Sequence, residues 1–471
     1  RYLLILFVLL VSCSTHPRLF SNEGSLILKK KINRLIISSE LGATMGISIV
    51  SLKTGKPIYE LNSEKLLMPA SNNKLFTCAA ALDFLGKDFF FFTNVLAQNE
   101  NAILQGGGDP DLTVKDLDSL AYAVSKKVDS IDTLFLDDTF LDSVYFGNGW
   151  MWDEGPWWYA APISALSVND NCIDFYVQPG KEGQNAIINY FPNTNYISFQ
   201  NQSLTVEKNT NLKKLKIDRD WSDKKNNFSV TGEIFYKKEL DTLRRNIHDP
   251  TMFTGVLFKE MLEKHGLEIN YVMKKKVSRN ADTLATHKSL PLIKSASNLM
   301  NESDNLTAEL FIKTIGRNNI TQGNWKSGLD SVKSLLASSA LIDTSQMRIA
   351  DGSGVSRYNL TSAKQLTTFL GWVYESQYKN DFISTLPGGG KRNGTLERRL
   401  KTEGNYVKAK TGGLSGVSNL SGYVFSPRYG PVAFSLLMSG YRGSSQPYRN
   451  LQDAIITVSY THLRAHETGY N

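Results

Sequence analysis

With 471 residues, 41% of them hydrophobic and 21% charged, the chain has the composition of a globular protein large enough for two or three domains. Its formal charge of +8, from 53 basic and 45 acidic residues, is scattered along the chain, and clusters such as Lys29-Lys30-Lys31 and Lys274-Lys275-Lys276 read as solvated faces, so nucleic acid is not implied. Six histidines lack metal-ligand spacing and three cysteines make no disulfide framework, which disfavours metal and Ser-His-Asp chemistry; no cofactor is expected.

The first element is the apolar run RYLLILFVLLVSCS, which reads as a secretory signal too short to span a bilayer as a stable anchor. Within it, Leu10-Val11-Ser12-Cys13 resembles a bacterial lipobox, where cleavage leaves Cys13 N-terminal and lipid-modified. The polar STHPRLFSNEGS then serves as a tether, so residues 1–22 are expected to be signal and tether. An ordinary signal peptide that happens to contain a cysteine is the plainer alternative. Ser14, rather than Asp, after the cysteine leans by analogy toward an outer-membrane anchor.

Helical periodicity follows, with Leu26, Ile27, Ile32, Leu35 and Ile36 on one side and Gly42 as a stop. TMGISIVSL and PIYEL, joined by KTGK, predict a β-hairpin. A helix is expected to open at Ser71, with Leu75, Cys78, Ala79, Leu82 and Leu85 on its apolar face and Gly86 closing it. From about Phe90 to about Arg245 the texture changes to short strands, turns and aromatic clusters, which predicts a mostly β domain inserted over residues 90–245. In its GWMWDEGPWW segment, Trp150, Trp152, Trp157 and Trp158 read as core packing in preference to a sugar-stacking platform. Helical patterns resume in DPTMFTGVLFKEMLEKHG, LTAELFIKTIG, GLDSVKSLLASSAL and SAKQLTTFLGWVYESQ. NYVKAKT, LSGYVFS and GPVAFSLLMSGY predict three antiparallel strands, and YRNLQDAIITVS a final helix beside the first. Residues 459–471 resemble sequencing-adapter read-through and are expected to carry no function.

Three short motifs recur in one order: Ser71-x-x-Lys74, Ser303-Asp304-Asn305 directly before a helix, and Lys410-Thr411-Gly412 on a strand. Each alone is weak. Ser222 and Lys225 repeat the first spacing, and Lys53-Thr54-Gly55 repeats the third at a hairpin turn where it cannot serve a nucleophile. Together they describe chemistry. A serine and a lysine three apart share one helix face, so Lys74 can take the Ser71 proton if its pKa is lowered by the helix N-terminus, by desolvation and by the nearby cation Lys410. Ser303 is placed to relay a proton to a departing amine, and Asn305 to hold a substrate amide. Lys410 and Thr411 would face a terminal carboxylate, while Gly412 and Gly413 would let a ligand backbone approach closely. The backbone N–H groups of Ser71 and Gly413 would form an oxyanion hole.

That order resembles the penicillin-binding proteins and serine β-lactamases. Further stretches, LQGGGDPDLT, GWMWDEG, YAAPISALSVNDN, ESDNLTAELFIKTIG, DGSGVSRYNLTS and LPGGGKRNGTLERRL, make the chain similar to the low-molecular-mass class C penicillin-binding proteins from about Leu26 to Val458. Ser71 and Ser303 lie 232 positions apart, room for a large insert, whereas Ser303 and Lys410 lie 107 apart. The resemblance implies an α+β, transpeptidase/β-lactamase-like fold, split over 23–89 and 246–458. It also implies a serine D-Ala-D-Ala carboxypeptidase and cross-link endopeptidase in the periplasm. The partners would be peptidoglycan stem peptides and β-lactams, which acylate such enzymes. Asp153 and Glu154 fall where the family's insert forms a lip over the active site, and an acidic group there would bind the free amine of a diaminopimelate side chain; ordinary turn residues are the other reading. A β-lactamase-like hydrolase and an inactive envelope-binding lipoprotein remain as alternatives. The Glu-x-x-Leu-Asn segment of class A β-lactamases is missing, and the six polar motif residues are intact.

Overall fold

The computed structural model describes residues 22–276, 281–318, 320–426 and 430–462. Cys13 and its tether up to residue 21 lie outside the described residues. The chain starts with α1 (Asn22–Ser39), the hairpin β1 (Thr44–Ser51) and β2 (Pro57–Leu61), and α2 (Lys74–Phe84), which a 3-10 turn over Ala70–Asn73 precedes. Next come β3 (Phe92–Gln98), β4 (Asn101–Gln105), α3 (Val114–Ser125) and β5 (Ile131–Asp137). A run of strands follows: β6 (Cys172–Gln178), β7 (Ile187–Phe191), β8 (Ser198–Val206), β9 (Lys216–Arg219), β10 (Asn227–Phe235) and β11 (Asp241–Asn246). Then come α4 (Pro250–Lys264), β12 (Ile269–Lys274) and β13 (Asp282–Lys288). Helices α5 (Leu292–Glu302), α6 (Asn305–Ile315), α7 (Trp325–Ser338), α8 (Ala363–Glu375) and α9 (Lys379–Thr385) lead to β14 (Val407–Leu414), β15 (Val417–Ser426), β16 (Gly430–Ser439) and α10 (Gln446–His462).

The two ends of the chain build one sheet. Its order is β14-β15-β16-β1-β2, and every neighbouring pair is antiparallel. Helices α1 and α10 pack together on one face, over Ile47, Ile49, Leu420, Phe434 and Leu436. Helix α8 packs on the other face, where it joins a second apolar cluster with α2, α5, α6 and α7. Strand alternation makes this two-sided burial possible, since successive side chains point to opposite faces. On α1 the buried residues are Leu28 and Ile32, whereas Leu26 and Ile27 are exposed, so the apolar stripe is turned from the expected one. Tyr460 is buried on α10, which therefore continues past the expected end of the fold at 458.

A second five-stranded sheet, β12-β5-β4-β3-β13, lies in the middle of the chain, beside two three-stranded sheets, β8-β10-β9 and β11-β6-β7. Strands β12 and β13 pair with β5 and β3, so the expected boundary near 245 falls short of this sheet by some forty residues. The reason is long-range pairing: β12 is reached only after α4 packs on β5 and returns the chain. Helix α3 also lies within the expected β region, and a reciprocal cap between Thr113 and Asp116 starts it. Cys78 and Cys172 are buried and unpaired.

Candidate active site

Pro69 and Ala70 set the position of Ser71. Ala70 has φ +48°, a conformation costly for a residue with a Cβ, and it turns the chain into the 3-10 turn that carries Ser71. Ser71 is therefore not an N-cap, and α2 proper begins at Lys74. Two glycines allow this turn its neighbours. At Gly354, with φ +86°, a Cβ would lie 1.9 Å from the Ala70 carbonyl oxygen. At Gly412 it would lie 2.6 Å from the Pro69 carbonyl oxygen. Gly412 thus serves the close approach of β14 to the serine turn, not the expected approach of a ligand, whereas Gly413 faces open space. Amide side chains complete the attachment: Asn72 Nδ2 donates to the Lys410 carbonyl at 2.7 Å, Asn73 Nδ2 to that of Asp351 at 2.7 Å, and Asn419 Nδ2 to that of Pro69 at 2.7 Å.

Lys74 is fully buried, and its Nζ meets three oxygens: Ser71 Oγ at 3.0 Å, Asn305 Oδ1 at 2.6 Å and the Ser353 carbonyl at 2.7 Å. Burial pushes its pKa down to about 8, against the opposing fields of Asp304, Glu309 and Asp351. Burial and then the charge of Lys74 push Lys410 well below its ordinary value, and the repulsion between the two like charges acts on both. Two of the three partners, an amide oxygen and a backbone carbonyl, can only accept. A neutral amine has two hydrogens and one lone pair. Donating both hydrogens to these two acceptors leaves the lone pair for the Ser71 hydroxyl, which is the arrangement of a general base and its nucleophile.

Ser303 ends α5 in the left-handed region, φ +66°, and Asp304 then caps α6 by accepting from the Leu306 and Thr307 N–H groups. This places Ser303 Oγ 2.8 Å from Lys410 Nζ, which also donates to the Thr411 carbonyl. The Lys410-Thr411-Gly412 segment lies inside β14 at the edge of its sheet. Asn305 differs from expectation: its Oδ1 accepts from Lys74 and its Nδ2 donates to the Tyr159 carbonyl at 2.7 Å, so it holds the base in place instead of standing free for a substrate amide.

Ser71, Ser303, Asn305, Thr411 and Gly413 all line one cleft of about 430 Å³, together with Glu154, Trp158, Tyr159, Arg357 and Thr395. Of the acidic pair, only Glu154 reaches it; Asp153 is exposed. Burial pushes the Glu154 carboxyl up to about 7, Arg357 opposes this, and its Oε2 has no hydrogen-bond partner. Of the four tryptophans, Trp150 is partly buried and packs against the core, as expected, whereas Trp152 is 78% exposed and Trp157 and Trp158 are 40% exposed each. Two carboxylates were not singled out by the motifs. Asp351 accepts from Trp150, Asn359 and the N–H groups of Gly354 and Ser356, and Glu309 accepts from Trp325 and the N–H groups of Gly352 and Ser353. Both shape the loop whose Ser353 carbonyl holds Lys74. Their only signal lay in the stretches DGSGVSRYNLTS and LTAELFIKTIG, without an assigned role. Among the described residues no cluster of His, Cys, Asp or Glu could hold a metal ion.

Comparison with known proteins agrees with this geometry. The D-alanyl-D-alanine carboxypeptidase of an Actinomadura species is 33% identical over 93% of this chain and 86% of its own. The D-alanyl-D-alanine carboxypeptidase DacB of Haemophilus influenzae is 26% identical over 85% of this chain and 86% of its own. The crystal structure of penicillin binding protein 4 from Haemophilus influenzae superposes with a TM-score of 0.80 and 25% identity, covering 91% of this chain and 99% of that one. Residues 28–461 match the sequence model of the D-Ala-D-Ala carboxypeptidase 3 (S13) family, and the chain belongs to that family.

Proposed function

We propose that the protein is a serine D-Ala-D-Ala carboxypeptidase that also cuts peptide cross-links, acting on peptidoglycan stem peptides through an acyl-enzyme. One observation carries the reading: buried Lys74 meets two pure acceptors and the Ser71 hydroxyl, so its neutral form is aimed at the serine proton. Ser71 Oγ attacks the carbonyl of the penultimate D-Ala and passes its proton to Lys74. The C–N bond breaks, and Ser303 relays a proton to the leaving D-Ala amine. Water then hydrolyses the ester. The N–H groups of Ser71 and Gly413 bind the oxyanion, each such donor contributing on the order of 3 kcal/mol to the transition state. Lys410 and Thr411 face the terminal carboxylate.

Support also comes from relatives named as D-alanyl-D-alanine carboxypeptidases and from a penicillin binding protein 4 of Haemophilus influenzae solved in complex with a β-lactam. The test is covalent labelling by a fluorescent penicillin together with release of D-Ala from a stem pentapeptide. Ser71→Ala is expected to lose both, and persistent covalent labelling of that variant would overturn the assignment. Export with a lipid anchor at Cys13 belongs to the same proposal, resting on the lipobox-like segment. Cells expressing the chain with radiolabelled palmitate are expected to label the wild type and not Cys13→Ala; an unlabelled wild type would leave a simply secreted protein.

A further inference from the structure

A second groove, of about 340 Å³, adjoins the catalytic cleft and shares Glu154 with it. Trp150, Met151, Trp152 and Trp221 line it, with Arg219 among its polar groups. The indoles of Trp152 and Trp221 are 5.5 Å apart at 40°, and Trp152 is 78% exposed, which is a large apolar surface to leave in water without a partner. Two of the lining indoles are fixed by their surroundings. Trp221 lies flat on Gly155, where a Cβ would come within 3.0 Å of the ring, and Trp150 donates through Nε1 to Asp351 of the catalytic loop. Arg219 is 7% exposed; its terminal nitrogens donate to the Lys225 carbonyl and Asn246 Oδ1, while its Nε–H has no acceptor. Arg219 therefore brings a guanidinium to the wall of the groove.

We infer that this groove binds a pyranose ring of the glycan strand to which the stem peptide is attached. Exposed indole faces suit the C–H face of a sugar, and a hydroxyl, which can accept a hydrogen bond, suits a site walled by the Arg219 guanidinium. Continuity decides the occupant. The inference rests on the function proposed above, in which the peptide runs from Ser71 past Glu154. Two or three further extended residues span roughly 10 Å, at about 3.4 Å each, and the next chemical unit on a stem peptide is the lactyl-bearing sugar.

The experiment compares a stem pentapeptide with the same peptide on its N-acetylglucosaminyl-N-acetylmuramyl disaccharide. It is paired with saturation-transfer NMR of the peptide-free disaccharide, in the wild type and in Trp152→Ala with Trp221→Ala. The wild type is expected to have a kcat/KM about tenfold higher on the disaccharide-peptide and to show saturation transfer to the sugar protons. The double variant is expected to lose both effects while keeping free-peptide turnover and penicillin acylation. Equal kcat/KM on the two peptides in the wild type, or a preference that survives in the double variant, would overturn the groove assignment and leave the catalytic reading intact. Saturation transfer that depends on the two tryptophans, in a protein that turns over neither peptide, would sink the catalytic reading and support the groove.

Discussion

The Lys74 side chain shows how burial converts an ordinary lysine into a base against the pull of three carboxylates. Burial removes the water that would stabilise the ammonium, and the carboxylates of Asp304, Glu309 and Asp351 restore part of that stabilisation, leaving a pKa of about 8. Since the neutral amine is the reactive form, the second-order rate of penicillin acylation is expected to rise with pH and to half-saturate near 8. Glu309 raises the Lys74 pKa, so Glu309→Gln should move that midpoint below 8; stopped-flow acylation between pH 6 and pH 10 measures both, and an unmoved midpoint would exclude Glu309 as a source of the field. The motif residues were legible in the sequence because a nucleophile, a base and a carboxylate clamp demand fixed residue types at fixed spacing. Glu309 and Asp351 were not, because their partners are backbone N–H groups brought by tertiary packing. Asn305 was legible as a site residue, but its hold on Lys74 was not, for the same reason.

At the same scale, Glu154 carries the cross-link-cutting half of the proposal, since it lines the cleft and the exposed Asp153 does not. An ionised carboxylate is required to hold an ammonium, in a charge-assisted bond worth about 1.5–3 kcal/mol. The preference for a substrate with a free diaminopimelate-like amine over its acetylated form is therefore expected to grow as pH rises through about 7. Glu154→Gln should erase the preference and its pH dependence without affecting penicillin acylation, whereas Asp153→Ala should change neither. A preference retained in Glu154→Gln would remove this residue from the recognition site.

Among elements, the serine turn is the one whose shape depends most on its neighbours. Ala70 with φ +48° persists because β14 and the Gly354 loop close on it from two sides. Gly354→Ala would place a methyl group against the Ala70 carbonyl and also strain a φ of +86°, so we expect a loss of about 2 kcal/mol or more of unfolding free energy. Acylation should fall with it. Denaturant unfolding together with penicillin labelling reads both, and a variant with wild-type stability and labelling would show that the turn does not need that glycine. Elements with strong local signals, such as the β1–β2 hairpin and α10, could be read from sequence. The burial face of α1 and the extent of the second sheet could not, because the first depends on α10 packing beside it and the second on β12 and β13 crossing back to β5 and β3. Exposure of the tryptophans was likewise hidden, since aromatic residues in a cluster look the same whether they pack inward or line a groove.

In the whole molecule, the site is assembled from opposite ends of the polypeptide. Ser71 follows β2, Lys410 sits on β14, and the hydrogen bond from Asn72 to the Lys410 carbonyl joins positions 338 residues apart. Strand β1 pairs with β2 on one edge, but the partner on its other edge is β16, the last described strand. In time, this is a safeguard. A chain emerging from the ribosome or a translocation pore N-terminus first carries its serine and lysine from early on, yet has no sheet to hold them until almost all of it is delivered. Hydrolytic activity is therefore expected to wait until the end of delivery. Chains truncated before Val407 are expected to stay unlabelled by fluorescent penicillin although Ser71 and Lys74 are present. Adding residues 407–462 as a separate fragment should restore some labelling if the missing sheet is the sole defect.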